Sequence, residues 1–148
     1  MKYALDTNIV IAALNGVPPI PTRLADLQPA DIVLPAPVIA ELYFGAHASS
    51  RVRENIARID RLLALFGMQP FGEAAARRFA EVKAELRRGG QARSDFDLAI
   101  ASIAIVHGAT LVTHDTALLD GSITGLVVED WLAPHPGPLP GGEGTRDR

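Results

Sequence analysis

Residues 1–10 read "MKYALDTNIV". An apolar run, Tyr3-Ala4-Leu5, stops on Asp6, and Thr7-Asn8 lead straight into a second apolar run from Ile9 to Leu14. The first run suits a short buried strand over 2–6. Thr7 or Asn8 suits the N-cap of a helix reaching about Asn15. A strand that ends on a carboxylate and turns at once into a helix delivers charge to the C-terminal edge of a sheet. Open parallel sheets form their sites at that edge.

The rest of the chain repeats this alternation. Val17 to Pro21 reads as a breaker, 22–27 as a short helix and 31–34 as a second strand. Pro37 suits the first turn of a helix running to about Ala46. Val52, Ile56, Ile59, Leu63 and Phe66 recur at helical spacing and are closed by Gly67. A third strand is expected over 68–71. Ala75, Phe79, Val82 and Leu86 mark another amphipathic helix, ended by Gly89-Gly90. Residues 98–106 are apolar nearly all round except Ser102, which marks a helix buried on most sides, with Gly108 as its stop. Strands follow over 109–113 and 126–128. Strands alternating with helices predict an α/β fold with a mainly parallel sheet.

The chain has 148 residues, 48% of them hydrophobic, which suffices for one domain with its own core. It contains no cysteine. Disulfides, thiolate metal sites and cysteine nucleophiles are therefore excluded, and a reducing, cytoplasmic setting is expected. No apolar run approaches the roughly 20 residues of a membrane helix. Residues 133–148 are rich in Pro and Gly and read as a disordered tail, leaving 1–132 as the domain. Net charge is −3, yet ten of the 14 Lys and Arg lie within 51–93 against five acids. That segment carries +5 and the remainder −8, a basic rim beside an acidic centre, which suits a polyanion held over metal ions.

Four acids stand in apolar or strand-end settings. Asp6 ends the first strand, and Asp115 follows "ATLVT". Glu41 sits inside "PVIAELYFGA", and Asp97 lies in the first turn of the most buried helix, with Ser94 or Asp95 as its cap. Each alone has an ordinary explanation as a strand end, a helix-surface residue, a dipole partner or a turn. Together they predict one carboxylate cluster. Carboxylates crowded in a dry cleft cannot all stay ionised unaided, and a divalent cation relieves the conflict. Oxygen donors suit Mg²⁺ or Mn²⁺. Two such ions could activate a water and stabilise the leaving oxygen of a phosphodiester. Thr7, Asn8 and Thr113 are placed to orient the acids or a water.

Four motifs, "LDTNIVIAAL" (5–14), "LPAPVIAELYFGA" (34–46), "DLAIASIAIVHGATLVTHD" (97–115) and "GLVVEDW" (125–131), resemble the PIN domain. Within that family they resemble the VapC-type toxins of type II toxin–antitoxin modules. The resemblance implies a PIN-like three-layer α/β/α fold and a Mg²⁺- or Mn²⁺-dependent endoribonuclease. The implied site acids are Asp6, Glu41, Asp97 and Asp115. The last stands where many relatives carry Asn, so no charged ligand is missing. The implied partners are an RNA substrate, a VapB-like antitoxin and a second copy of the chain in a homodimer. The apolar stripes of 52–66 and 79–86 would then be candidate contact surfaces. A non-catalytic PIN module that binds RNA or protein is the alternative, and the presence of all four acids speaks against it. A phospho-receiver lacks its lysine at a late strand end. A haloacid-dehalogenase-like phosphatase would need an acid where Asn8 stands. His114 reads as a surface residue.

Overall fold

The computed structural model describes residues 1–132; the Pro/Gly-rich stretch 133–148 lies outside the described residues. The order is β1 (Lys2–Leu5), α1 (Thr7–Leu14), α2 (Ile20–Ala25), β2 (Ile32–Val33), α3 (Ala36–His47), α4 (Val52–Phe66), α5 (Glu73–Arg88), α6 (Asp95–Val106), β3 (Ala109–Val112), α7 (Thr116–Leu119) and β4 (Val128–Glu129). The four strands form one parallel sheet in the order β2-β1-β3-β4. The predicted α/β class is what is found. Parallel neighbours need crossovers, and here the helices supply them.

β1 and β3 occupy the middle of the sheet, in register from Lys2 opposite Ala109 to Leu5 opposite Val112. β3 is buried along its whole length. α6 packs against β3, α5 and α3. Leu98, Ile100, Ala101, Ile103 and Ala104 of α6 are all buried, as an all-round apolar helix requires. Its one buried hydroxyl, Ser102 Oγ, donates to Leu98 O at 2.6 Å and so is satisfied within the helix. Gly108, at φ 62°, makes the reversal into β3 that a side-chain-bearing residue would resist.

Several boundaries move, each for a physical reason. The strand expected over 68–71 is reduced to one parallel bridge, Gln69 opposite Pro35. Gln69 donates to Leu34 O and accepts from Ala36 N–H, both at 2.8 Å, but Pro70 has no N–H to continue a ladder. β2 is shortened to Ile32–Val33 because Asp31 closes a 3₁₀ turn, accepting from Gln28 N–H at 3.0 Å, and Pro35 follows. α2 begins at Ile20 and not at Thr22. Pro21 belongs to its first turn, where a missing N–H costs nothing. The last strand is Val128–Glu129, with Val128 opposite Leu111. α7 begins directly after Asp115, for which a turn was the ordinary expectation.

The apolar stripes of α4 and α5 are largely consumed inside the protein. Ile59, Ala75, Val82 and Leu86 are buried, and Ile56, Leu62, Leu63, Phe66 and Phe79 pack against the core. Most of each stripe therefore packs within the protein, while Ile59 and Phe79 still border surface grooves. The exposed large apolar groups are others, among them Phe44, Leu65, Phe71 and Phe96.

Leu111 is fully buried in the central strand, and Leu65 is 60% exposed on α4. Leu111→Ala is expected to cost about 2–5 kcal/mol. Leu65→Ala should stay within about 0.5 kcal/mol of wild type. Urea unfolding midpoints at constant slope measure both.

Candidate active site

Asp6 continues the β1–β3 pairing by one residue: its N–H donates to Val112 O at 2.9 Å. Its carboxylate then turns to the start of α1, where Oδ1 accepts from Thr7 N–H at 2.8 Å. Asp6 itself, and not Thr7 or Asn8, is therefore the N-cap. It leaves the strand in extended conformation facing the first orphan N–H groups, where an acid both accepts a bond and meets the positive end of the helix. Oδ2 accepts from the hydroxyl of Thr113, which is wholly buried just past β3, at 2.7 Å. Asp6 is only 5% exposed.

Freed from capping, Thr7 and Asn8 reach other members of the site. Thr7 Oγ1 donates to Glu41 Oε1 at 3.0 Å. Asn8 Oδ1 accepts from His114 N–H at 3.2 Å. Thr113 Oγ1 also accepts from Asp115 N–H at 3.0 Å. The three residues expected to orient the acids thus contact Glu41, Asp6 and the backbone that carries Asp115.

Glu41 stands exposed on α3 at the rim. Asp97 is half-buried in the first turn of α6, whose N-cap is Ser94; Ser94 Oγ accepts from Asp97 N–H at 3.1 Å. Asp95 is instead taken by Lys83 Nζ at 2.9 Å. Asp115 caps α7, its Oδ1 accepting from Ala117 N–H at 3.0 Å. A groove of about 250 Å³ opens beside Glu41, lined by Ile11, Leu14, Leu42, Arg58 and Ile59. His114, read as a lone surface histidine, is exposed but places Nδ1 2.8 Å from Asp130 Oδ2, just beyond β4.

The acids lie in one another's fields. Burial pushes the Asp6 carboxyl up from its ordinary value. The Thr113 and Thr7 bonds oppose the shift, and Asp97 and Asp115 add to it. Glu41 is raised first by desolvation, against the Thr7 bond, and further by Asp6 and Asp97. Asp97 is raised by burial and by Asp115, with Ser94 and the Arg93 charge acting the other way. Among the described residues no three His, Cys, Asp or Glu side chains form a closed ligating group as they stand. Asp6 is coupled to Asp97 and Asp115, Glu41 to Asp6 and Asp97, and Asp97 to Asp115, and like charge opposes their closer approach. The donor set is all carboxylate and hydroxyl oxygen, around a buried carboxylate held above its ordinary pKa. Such a set fits a hard divalent cation and does not fit a thiophilic one.

One contributor had no signature in the sequence. Arg93, in the loop before α6, bonds to Ala117, Asp120 and Ser122, which lie 24 to 29 residues away. A single arginine among ten basic residues of that segment carries no local pattern.

Comparison with known proteins agrees with the fold. The PIN domain family matches residues 3–121. The tRNA(fMet)-specific endonuclease VapC of Shigella flexneri is 30% identical over 131 residues, covering 88% of this chain and 98% of that protein. Ribonuclease VapC2 of Rickettsia felis is 32% identical over 133 residues, covering 88% and 98%. Among solved structures, VapBC2 from Rickettsia felis bound to a DNA fragment from its promoter superposes with a TM-score of 0.78. It shares 31% identity over 88% of this chain and 99% of that one. With a family match over most of its length and relatives covered almost end to end, the chain belongs to the PIN domain family, among the VapC-type ribonucleases.

Proposed function

We propose that this chain is a divalent-metal-dependent endoribonuclease, the toxin of a VapBC-type toxin–antitoxin pair. We further propose that Asp6, Glu41, Asp97 and Asp115 together hold Mg²⁺ or Mn²⁺. One observation carries the assignment. Asp6 is buried with its carboxyl raised, and two of the other acids raise it further. An uncompensated cluster of this kind is costly to fold, and a bound cation removes the cost.

Each side chain has a task. Asp6 is the fixed member, held by Thr7 N–H and the Thr113 hydroxyl. Thr7 keeps Glu41 turned inward from the rim. Asp97 and Asp115 approach from two helix starts. A divalent ion there would supply charge stabilisation to the leaving oxygen and lower the pKa of a water. The basic segment 51–93, with ten Lys and Arg against five acids, would attract the RNA backbone through counterion release.

The solved relatives named as VapBC complexes support a VapB-like antitoxin as partner. The groove beside Glu41 is apolar enough for a partner segment to lie across the site entrance. A homodimer has a second apolar surface available, the groove lined by Ala36, Pro37, Ala40, Phe71, Phe79 and Phe96. Among the described residues no helix is long and apolar enough to cross a membrane. Action in the cytoplasm is part of the same proposal, and a chain without cysteine fits a reducing compartment.

The direct test incubates purified protein with mixed RNA and with initiator tRNA, the substrate for which one relative is named. Mg²⁺, Mn²⁺ and chelator are run in parallel. Cleavage is expected with metal only. It should fall at least about a hundredfold in Asp6→Asn and Asp97→Asn, the upper end of what losing a mere supporting partner of a ligand costs. Equal cleavage by wild type and both variants would remove the site assignment.

Acid titration gives an independent check. The carboxyls of Asp6, Glu41 and Asp97 are raised on folding, so the metal-free native state binds protons more readily than the unfolded chain. Stability without metal should therefore fall as pH rises from the ordinary carboxylate values of 3.8 and 4.5 through the raised ones, and stay reduced at neutral pH. Asp6→Asn should melt higher than wild type at pH 7 without metal, and the gap should close below about pH 4. Mn²⁺ at a hundred times its Kd should raise wild-type stability by about 2.7 kcal/mol. Thermal melts of both proteins across pH, with and without Mn²⁺, measure this. A metal-free Asp6→Asn protein that melts lower at neutral pH would contradict it.

A further inference from the structure

α7 has four residues, too few to hold a helical conformation alone. At its start Asp115 accepts from Ala117 N–H, and inside it Leu118 is buried. The remaining constraint comes from one distant side chain. Arg93 is the last residue before Ser94, the cap of α6, and its side chain is only 14% exposed. Nη1 donates to its own loop at Ala92 O, 2.8 Å away. Nε donates to Ala117 O at 2.8 Å. Nη2 donates to Ser122 Oγ at 3.1 Å and pairs with the Asp120 carboxylate. Asp120 is the residue that ends α7, and its Oδ1 accepts from Ser122 N–H at 3.0 Å. One guanidinium therefore grips α7 in its middle and at its end, while anchored to the loop that starts α6.

The two ends of this bracket carry the two acids. Ala117 gives its N–H to Asp115 and its carbonyl to Arg93. Ser94, next to Arg93, accepts from Asp97 N–H. A continuous path of short bonds thus runs Asp115, Ala117, Arg93, Ser94, Asp97. Nothing else of comparable burial joins α7 to the start of α6 among the described hydrogen bonds.

We propose that Arg93 is a positioning residue: it brackets the starts of α6 and α7, sets the spacing of Asp97 and Asp115, and thereby sets the affinity of the site for a divalent cation. The proposal rests on reading those two acids as ion ligands. A planar fork with several fixed donors can serve Ala92, Ala117, Ser122 and Asp120 at once. A lysine at 93 keeps the positive charge near Asp97 but presents one flexible point donor, so it cannot close the bracket. Charge and geometry are separable on that basis.

The experiment titrates Mn²⁺ into the metal-stripped full chain by calorimetry, using wild type, Arg93→Lys, Arg93→Ala, Asp120→Asn and Asp97→Asn. Far-UV circular dichroism and metal-free melts establish that each is folded. Arg93→Lys is expected to bind Mn²⁺ at least about tenfold more weakly, as loss of a partner that orients ligands does. Asp120→Asn should weaken binding in the same direction. RNA cleavage by Arg93→Lys should recover when Mn²⁺ is raised to saturation at a temperature where its metal-free melt shows the variant fully folded, so that the recovery reports occupancy of the site and not rescue of the fold. Should Arg93→Ala fail to fold, the lysine and asparagine variants still decide the matter. Wild-type Mn²⁺ affinity in folded Arg93→Lys and Asp120→Asn, with affinity lost in Asp97→Asn, would overturn the bracket and leave the function reading standing. No Mn²⁺ binding by wild type would overturn both.

Discussion

The hydrogen bonds of Asp6 join two parts of the chain that are far apart in sequence, the turn from β1 into α1 and the end of β3. Its N–H extends the pairing of β1 with β3, one carboxylate oxygen caps α1, and the other accepts from Thr113 beyond β3. A carboxylate 5% exposed would be a severe fault in an apolar core. Here its two oxygens have fixed donors, and the helix start adds favourable charge. These bonds hold the acid in place without neutralising it. The remaining charge is what draws a cation.

The other acids are placed with less rigidity and in a graded order. Asp97 and Asp115 sit at helix starts, so each faces orphan N–H groups that tolerate a negative charge. Glu41 is exposed and held by one hydroxyl. The cluster therefore runs from a fixed buried member to an adjustable one at the rim. A site that must bind an ion, admit a phosphodiester and release product gains from that gradient. Such polar crowding costs native stability, and the surrounding apolar layer of α6 and β3 offsets it.

The central elements were legible because burial leaves a strong pattern. "YAL", "ATLV" and the apolar run of α6 could hardly be anything but interior, and the sheet class follows from their alternation with helices. The four acids were legible for a related reason: a charge that interrupts or borders an apolar run is conspicuous. Where the reading slipped, backbone chemistry or distant contacts decided. Pro70 cuts the expected strand at Gln69 to a single bridge. The cap of α1 passes to Asp6 because a strand end can face the next helix start, which no propensity records. The stripes of α4 and α5 look the same whether they meet their own core or another protein. Arg93 was invisible because all three of its partners beyond its own loop lie on the far side of α6 and β3.

The pairing of β1 with β3 has a consequence for synthesis. Asp6 and Thr113 are 107 positions apart, and Lys2 must wait for Ala109. The entropic cost of closing so long a loop grows only slowly with length, yet the contact cannot form before the later segment exists. A ribosome that has released Asp6, Glu41 and Asp97 has not yet released the strand that locks the first of them. The nascent chain thus carries three of its acids without the central strand pair that positions them. A protein built to cut RNA is in this way incomplete for most of the time that it is tethered to the RNA machine making it.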